Sequence, residues 1–140
     1  MSQKEETLRL LNNIRRNTLM ETLNIEYIDV GDDFLTAKML VSSDVFQPDG
    51  ILHGGATIAL AESVGSAVSL IDIDLKKFNV RGIQLSANHI SSATSGFVTA
   101  TAKFIHKGST THLVEIRITD DNGKLVSICK LTNIILPKQK

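Results

Sequence analysis

The stretch from Ala56 to Ile71, A-T-I-A-L-A-E-S-V-G-S-A-V-S-L-I, constrains the fold more than any other part of this chain. It is apolar or small on nearly every side, whereas a helix with one wet face would carry charges at 3.6-residue spacing. The pattern therefore predicts a helix enclosed by the rest of the fold. One charge interrupts it. Glu62 stands alone, and the residues one and two turns further along its face, Ser66 and Ser69, are small and polar, with Gly65 beside them. Burying a carboxylate without partners costs on the order of several kcal/mol, so Glu62 is expected on a solvated cleft or at a subunit boundary.

The residues ahead of the helix point to a ligand. Pro48-Asp49-Gly50 reads as a turn, and His53-Gly54-Gly55 leads directly into the first helical turn. The first N–H groups of a helix have no partner within it, and a glycine there lets a ligand oxygen approach the backbone, which makes an anion or oxyanion site. A base or nucleophile on a helix, and an oxyanion-binding helix start with an adjacent histidine, are the parts that acyl transfer requires. Glu62 stands seven residues past Gly55, about 10 Å along the axis at 1.5 Å rise per residue, too far for one chain to bring both to one carbonyl. A twofold dimer with antiparallel central helices would set Glu62 of one subunit opposite Gly55 of the other, so a shared active site is expected.

In these residues the chain resembles the hotdog-fold acyl-CoA thioesterases, in particular the phenylacetate-pathway and hydroxybenzoyl-CoA type. The resemblance spans roughly Val41 to Leu136 and is most specific in G-I-L-H-G-G-A-T-I-A-L-A-E-S-V-G-S. The matching positions of that group are a glutamine before the turn (Gln47), the histidine and second glycine of the helix start (His53, Gly55), the helix glutamate (Glu62) and a serine one turn later (Ser66). The resemblance implies thioester hydrolysis, with Glu62 as nucleophile or general base, the Gly55 N–H polarising the carbonyl, and Gln47 and Ser66 positioning substrate or water. It also implies contact of the His106-Lys107-Gly108 loop with the phosphates of coenzyme A. There the group carries a basic residue after the glycine, whereas here Ser109 takes that place and Lys107 precedes it. A homodimer or homotetramer is implied as well.

Composition is consistent with this. At 140 residues, 42% of them hydrophobic, the chain fits one domain with a real core. Fifteen basic and fifteen acidic residues leave no net charge, which argues against a broad nucleic-acid footprint. Cys129 is the sole cysteine, so no intrachain disulfide forms. The polar beginning and the lack of any run of about 18 apolar residues indicate neither a secretory signal nor a membrane span, and a cytoplasmic protein is the default expectation.

Apolar positions from Leu8 to Met20 predict one helix over 4–21, followed by two strands within 24–42 joined at Gly31-Asp32-Asp33. After the central helix, four strands are predicted at about 79–91, 97–106, 112–120 and 124–136, with turns at Ser95-Gly96, Lys107-Gly108 and Asp121-Asn122-Gly123. One long helix and about six strands make an α+β fold, an antiparallel sheet curled around the helix, which is the hotdog architecture. In the third strand Ile83, Leu85 and Ala87 share a core-facing row that His89 continues; in the fourth, Val98, Ala100, Ala102 and Phe104 do so and His106 ends the row. Both histidines are expected at a pocket rim. His112 reads as an ordinary strand histidine and Cys129 as a core residue, and no Cys/His spacing indicates a metal.

The implied substrate is an acyl-CoA thioester, with an acyl carrier protein thioester also open, and the acyl group is aryl, short-chain or medium-chain. No cofactor is expected. Two other functions compete: a hotdog-type hydroxyacyl dehydratase, which His53 keeps open but the Glu62 motif does not fit, and a non-catalytic acyl-CoA-binding protein, which binding without turnover would expose.

Overall fold

The computed structural model describes residues 1–139. The apolar stretch forms α3 (Gly54–Leu70), and a six-stranded antiparallel sheet curls around it to give an α+β hotdog fold. The strands are β1 (Ile25–Val30), β2 (Phe34–Leu40), β3 (Phe78–His89), β4 (Phe97–Lys107), β5 (Thr111–Thr119) and β6 (Leu125–Pro137), in the order β1-β2-β4-β5-β6-β3. Tight turns join β4, β5 and β6 as the glycine-bearing dipeptides predict, but β3 does not pair with β4. The chain crosses from one to the other over residues 90–96, leaving β3 on an outer edge beside β6.

The predicted N-terminal helix is broken in two, α1 (Gln3–Ile14) and α2 (Leu19–Thr22), because Asn17 takes a left-handed φ of 61° that a helix cannot continue through. Asn12 of α1 then acts as a strand substitute. Its side chain accepts from the Tyr27 N–H and donates to the Tyr27 carbonyl, both at 2.9 Å, so the helix covers the free edge of β1.

Leu60, Ala61, Val64 and Val68 of α3 are buried against the inner face of the sheet. The helix comes closest at Gly65, where a Cβ would lie 2.8 Å from Leu131 Cδ2 and 3.1 Å from Ile116 Cδ1. A side chain there would push the helix off the sheet.

Two β-bulges alter the predicted rows. One between Gly82 and Gln84 turns Ile83 out to 56% exposure, while Leu85 and Ala87 stay inward opposite Leu131 and Cys129. The other lies between Phe104 and His106. It reverses the alternation, so His106 pairs with Leu113 and leaves the core-facing row, and Lys107, opposite the buried His112, takes that face instead. Lys107 Nζ lies 4.9 Å from the Phe104 ring centroid and 3.0 Å from Asp72 Oδ1.

His112 proves to be more than a strand histidine. It is buried, edge-on to Phe104, and its Nδ1 lies 2.8 Å from Ser69 Oγ. Asn133 Nδ2 donates to that same Oγ and to the Gly65 carbonyl, each at 2.9 Å, so the Ser69 proton goes to His112, whose Nδ1 accepts. Burial, ahead of the opposing Asp72 charge, holds this imidazole below its ordinary range, with the Lys107 and His106 charges adding to the effect. A folded-state pKa below the unfolded value means that the unfolded chain binds more protons. Its contribution to stability is thus complete above about pH 6.5 and is lost as the pH falls through that value towards the depressed one. His112→Gln keeps a hydrogen-bonding group but cannot take the proton. Melting curves between about pH 7 and pH 5.5 should show a smaller fall in Tm for His112→Gln than for the wild type; parallel falls would remove His112 from the acid sensitivity.

Candidate active site

The start of α3 is fixed by the loop before it. Phe46 and Leu52 form an isolated bridge, the Gln47 N–H donates to the Ile51 carbonyl at 2.8 Å, and Gly50 closes the turn with φ 75°, which favours glycine. His53 is then held by its own N–H, donated to the Val45 carbonyl at 2.8 Å, and becomes the N-cap of α3. Its Nδ1 accepts from the Gly55 N–H at 2.7 Å, so a neutral His53 carries its proton on Nε2. The Gly55 N–H, expected to face a carbonyl, is engaged by the cap in this structure. His53 is exposed and in its neutral form carries a donor of its own, Nε2–H, at the helix start.

Each glycine of His53-Gly54-Gly55 makes room for an imidazole. A Cβ on Gly55 would lie 2.8 Å from His53 Cε1, and one on Gly54 would lie 3.0 Å from His89 Nε2. His89 thereby reaches the helix start and shares with Gln47 and Gly54 a cleft of about 270 Å³.

Seven and then four residues apart, Gly55, Glu62 and Ser66 fall on one stripe of α3. They line a groove of about 530 Å³ whose other walls are mostly apolar, among them Ile58, Met20, Leu70 and Tyr27. Glu62 is exposed, and its Oε2 lies beside Gly82 of β3, 3.4 Å from where a Cβ would stand, an ordinary contact distance. The Tyr27 hydroxyl sits 3.4 Å from both the Ser63 carbonyl and Met20 Sδ. Burial pushes this phenol up to about 12, so it stays un-ionised. Tyr27 is a groove residue that the sequence did not reveal. It is the sole tyrosine, and only its place at a buried strand position facing α3 identifies it.

The site residues thus form two groups: Gln47, His53 and His89 around the start of α3, and Gly55, Glu62 and Ser66 in a line along the groove from that start past the middle of the helix. The His106-Lys107-Gly108 loop lies elsewhere. Lys107 is paired with Asp72, two residues beyond α3, about 25 Å from Gly55 along the helix axis. Cys129 is buried and its thiol is pushed up by burial, the opposite of an activated nucleophile.

This fold, with a lone carboxylate on the central helix beside an imidazole-capped helix start, defines a hotdog-type thioester hydrolase. The chain matches the Thioesterase superfamily over residues 49–127 and belongs to that family. It is similar to a 1,4-dihydroxy-2-naphthoyl-CoA hydrolase of Escherichia coli, 37% identical over 134 residues and covering 96% of this chain and 98% of the other. A variant thioesterase of Pseudomonas aeruginosa, solved with a glutamine replaced by alanine, superposes with a TM-score of 0.92 at 40% identity over 94% of each chain. Two variants of one Staphylococcus aureus protein are similar as well. In one a glutamate is replaced by alanine, with TM-score 0.84, 42% identity and coverage of 86% and 99%. The other, a thioesterase variant with a glutamine replaced by alanine, gives TM-score 0.83, 41% identity and coverage of 85% and 98%. The chain is accordingly a hotdog-fold acyl-CoA thioesterase.

Gly55→Ala tests the helix start. The new methyl displaces the His53 ring and loses a cap worth about 1 kcal/mol, while alanine regains a similar amount of helix propensity. The melting temperature should move by only a few degrees, whereas kcat for an acyl-CoA should fall roughly tenfold or more. Unchanged turnover would show that the His53 position is immaterial to the chemistry.

Proposed function

We propose that this protein hydrolyses an aryl- or short- to medium-chain acyl-CoA, with Glu62 as the general base and the start of α3 as the oxyanion site. The observation that carries this reading is the placement of the one carboxylate of α3 on the same outward stripe as Gly55 and Ser66, in a groove otherwise mostly apolar. The acyl group lies against the apolar wall and the thioester carbonyl faces the helix start. Glu62, open to solvent, takes a proton from water as the water oxygen bonds to the carbonyl carbon. The developing oxyanion is met by the His53 Nε2–H and the positive end of the helix. Collapse breaks the C–S bond, and the departing thiolate takes the proton from Glu62, leaving a carboxylic acid and a thiol. Gln47 and Ser66 position substrate or water.

Relatives support this choice of residues. The glutamine and the glutamate replaced in the two Staphylococcus aureus variants stand fifteen residues apart in that protein, the spacing of Gln47 and Glu62 here.

The site is completed by a second copy. β3 is a 12-residue edge strand, unpaired on one side and bearing the exposed Ile83, with Glu62 Oε2 close to it at Gly82. A long edge of this kind is a template for pairing. A twofold dimer across β3, extended to a tetramer, brings the Glu62 carboxylate of one subunit towards the helix start of the other. It also lets Lys107, released from Asp72, reach the nucleotide end of coenzyme A bound mainly by another subunit.

Glu62→Gln keeps size and hydrogen bonding but removes the charge. The Kd for a non-hydrolysable acyl-CoA analogue and the Tm should stay close to wild type, while kcat falls about 10²- to 10⁴-fold. A variant keeping more than about a tenth of wild-type kcat would make Glu62 structural and this mechanism wrong.

A further inference from the structure

We propose that Ser127 sets the tautomer of His89, leaving the Nε2 of that ring bare to accept a hydrogen bond from the pantetheine arm of the thioester substrate. His89 is the last residue of β3 and lies directly opposite Ser127 of β6. Ser127 is fully buried, with Oγ 3.0 Å from His89 Nδ1 and 3.1 Å from the Asn88 carbonyl.

A carbonyl only accepts, so the hydroxyl proton goes to Asn88, and His89 must supply its own proton, on Nδ1, for the second contact to be a hydrogen bond. The opposite arrangement leaves Ser127 Oγ and the Asn88 oxygen 3.1 Å apart with no proton between them, a buried repulsion. The remaining lone pair of Oγ faces Cys129 Sγ at 3.6 Å, a weak donor whose thiol burial keeps protonated. Neutral His89 therefore has a bare Nε2.

That Nε2 faces the first turn of α3, over Gly54 and within the cleft that Gln47 also lines. His53, on the same helix start, is the reverse tautomer, since its Nδ1 already accepts from Gly55. The two rings thus offer one N–H and one lone pair. A lone pair repels carbonyl and phosphate oxygens and requires an N–H or O–H. In an acyl-CoA the first N–H beyond the thioester sulfur is the pantetheine amide, two methylenes away. This inference rests on the reading of the helix start as the thioester site, and it makes Ser127 a positioning residue acting through His89.

Three thioesters of one acyl group separate the outcomes: the CoA ester, the N-acetylcysteamine ester, which keeps that amide N–H, and an S-butyl ester, which lacks it. Ser127→Ala should raise KM about tenfold for the first two, the worth of one ordinary hydrogen bond, with kcat within about twofold and the S-butyl ester unaffected. Nitrogen-15 spectra of neutral His89 in the wild type should show a protonated Nδ1 and a bare Nε2, shifting to a mixture of tautomers in Ser127→Ala. A wild-type spectrum with the proton on Nε2, no change in KM, or an equal loss on all three esters would overturn the proposal. These readouts stand apart from the Glu62 mechanism, because an active Glu62→Gln variant would refute that mechanism and leave the His89 spectrum unchanged.

Discussion

How closely α3 lies against the sheet determines where every functional group of this chain stands. The approach is set at Gly65, where any Cβ would meet Leu131 and Ile116, and a helix-interior glycine costs about 1 kcal/mol relative to alanine. The packing of Leu60, Val64 and Val68 against the sheet offsets that cost. Asn133 then ties the helix down, donating to the Gly65 carbonyl and to Ser69. With this side held, the stripe of Gly55, Glu62 and Ser66 is turned outward, and the Glu62 carboxylate comes to rest over Gly82 on the outer strand.

Small residues do as much at the site as polar ones. Gly54 and Gly55 stand where a Cβ would crowd His89 and His53 respectively. Each brings an imidazole against backbone that a larger residue would screen. Electrostatics is correspondingly local: the chain carries no net charge, so the candidate site presents the positive end of one helix and one carboxylate along its length rather than a field over the whole surface.

The fold was largely legible because its strongest signals are periodic. The enclosed helix, the strand lengths and the glycine turns follow from patterns that survive in any context. What was not legible was two-dimensional. The β3 crossover leaves no mark in local sequence, and the bulge after Phe104 adds one residue without any glycine or proline to announce it, which is why His106 was expected on the wrong face; the bulge at Ile83 follows a single strand glycine, Gly82, too weak a signal to fix its place. The residues placed at the helix start and along the groove, His53, Gly55 and Glu62, stood within one contiguous motif. Their supports did not. Tyr27 and Asn133 come from distant strands and look like ordinary sheet residues until register sets them beside α3, as does Ser127 until it stands opposite His89. The capping bond between His53 Nδ1 and Gly55 depends on a side-chain rotamer, which no spacing rule conveys.

If the carboxylate and the helix start act on one thioester from two subunits, as proposed, two inactive variants must complement each other. Glu62→Ala and His53→Ala proteins, each nearly inactive alone, are mixed under conditions where subunit exchange is demonstrated, and acyl-CoA turnover is measured. Random exchange makes half the dimers mixed, each with one intact site, so about a quarter of wild-type activity should return. No recovery, with exchange established, would place both groups in one chain and contradict the shared site.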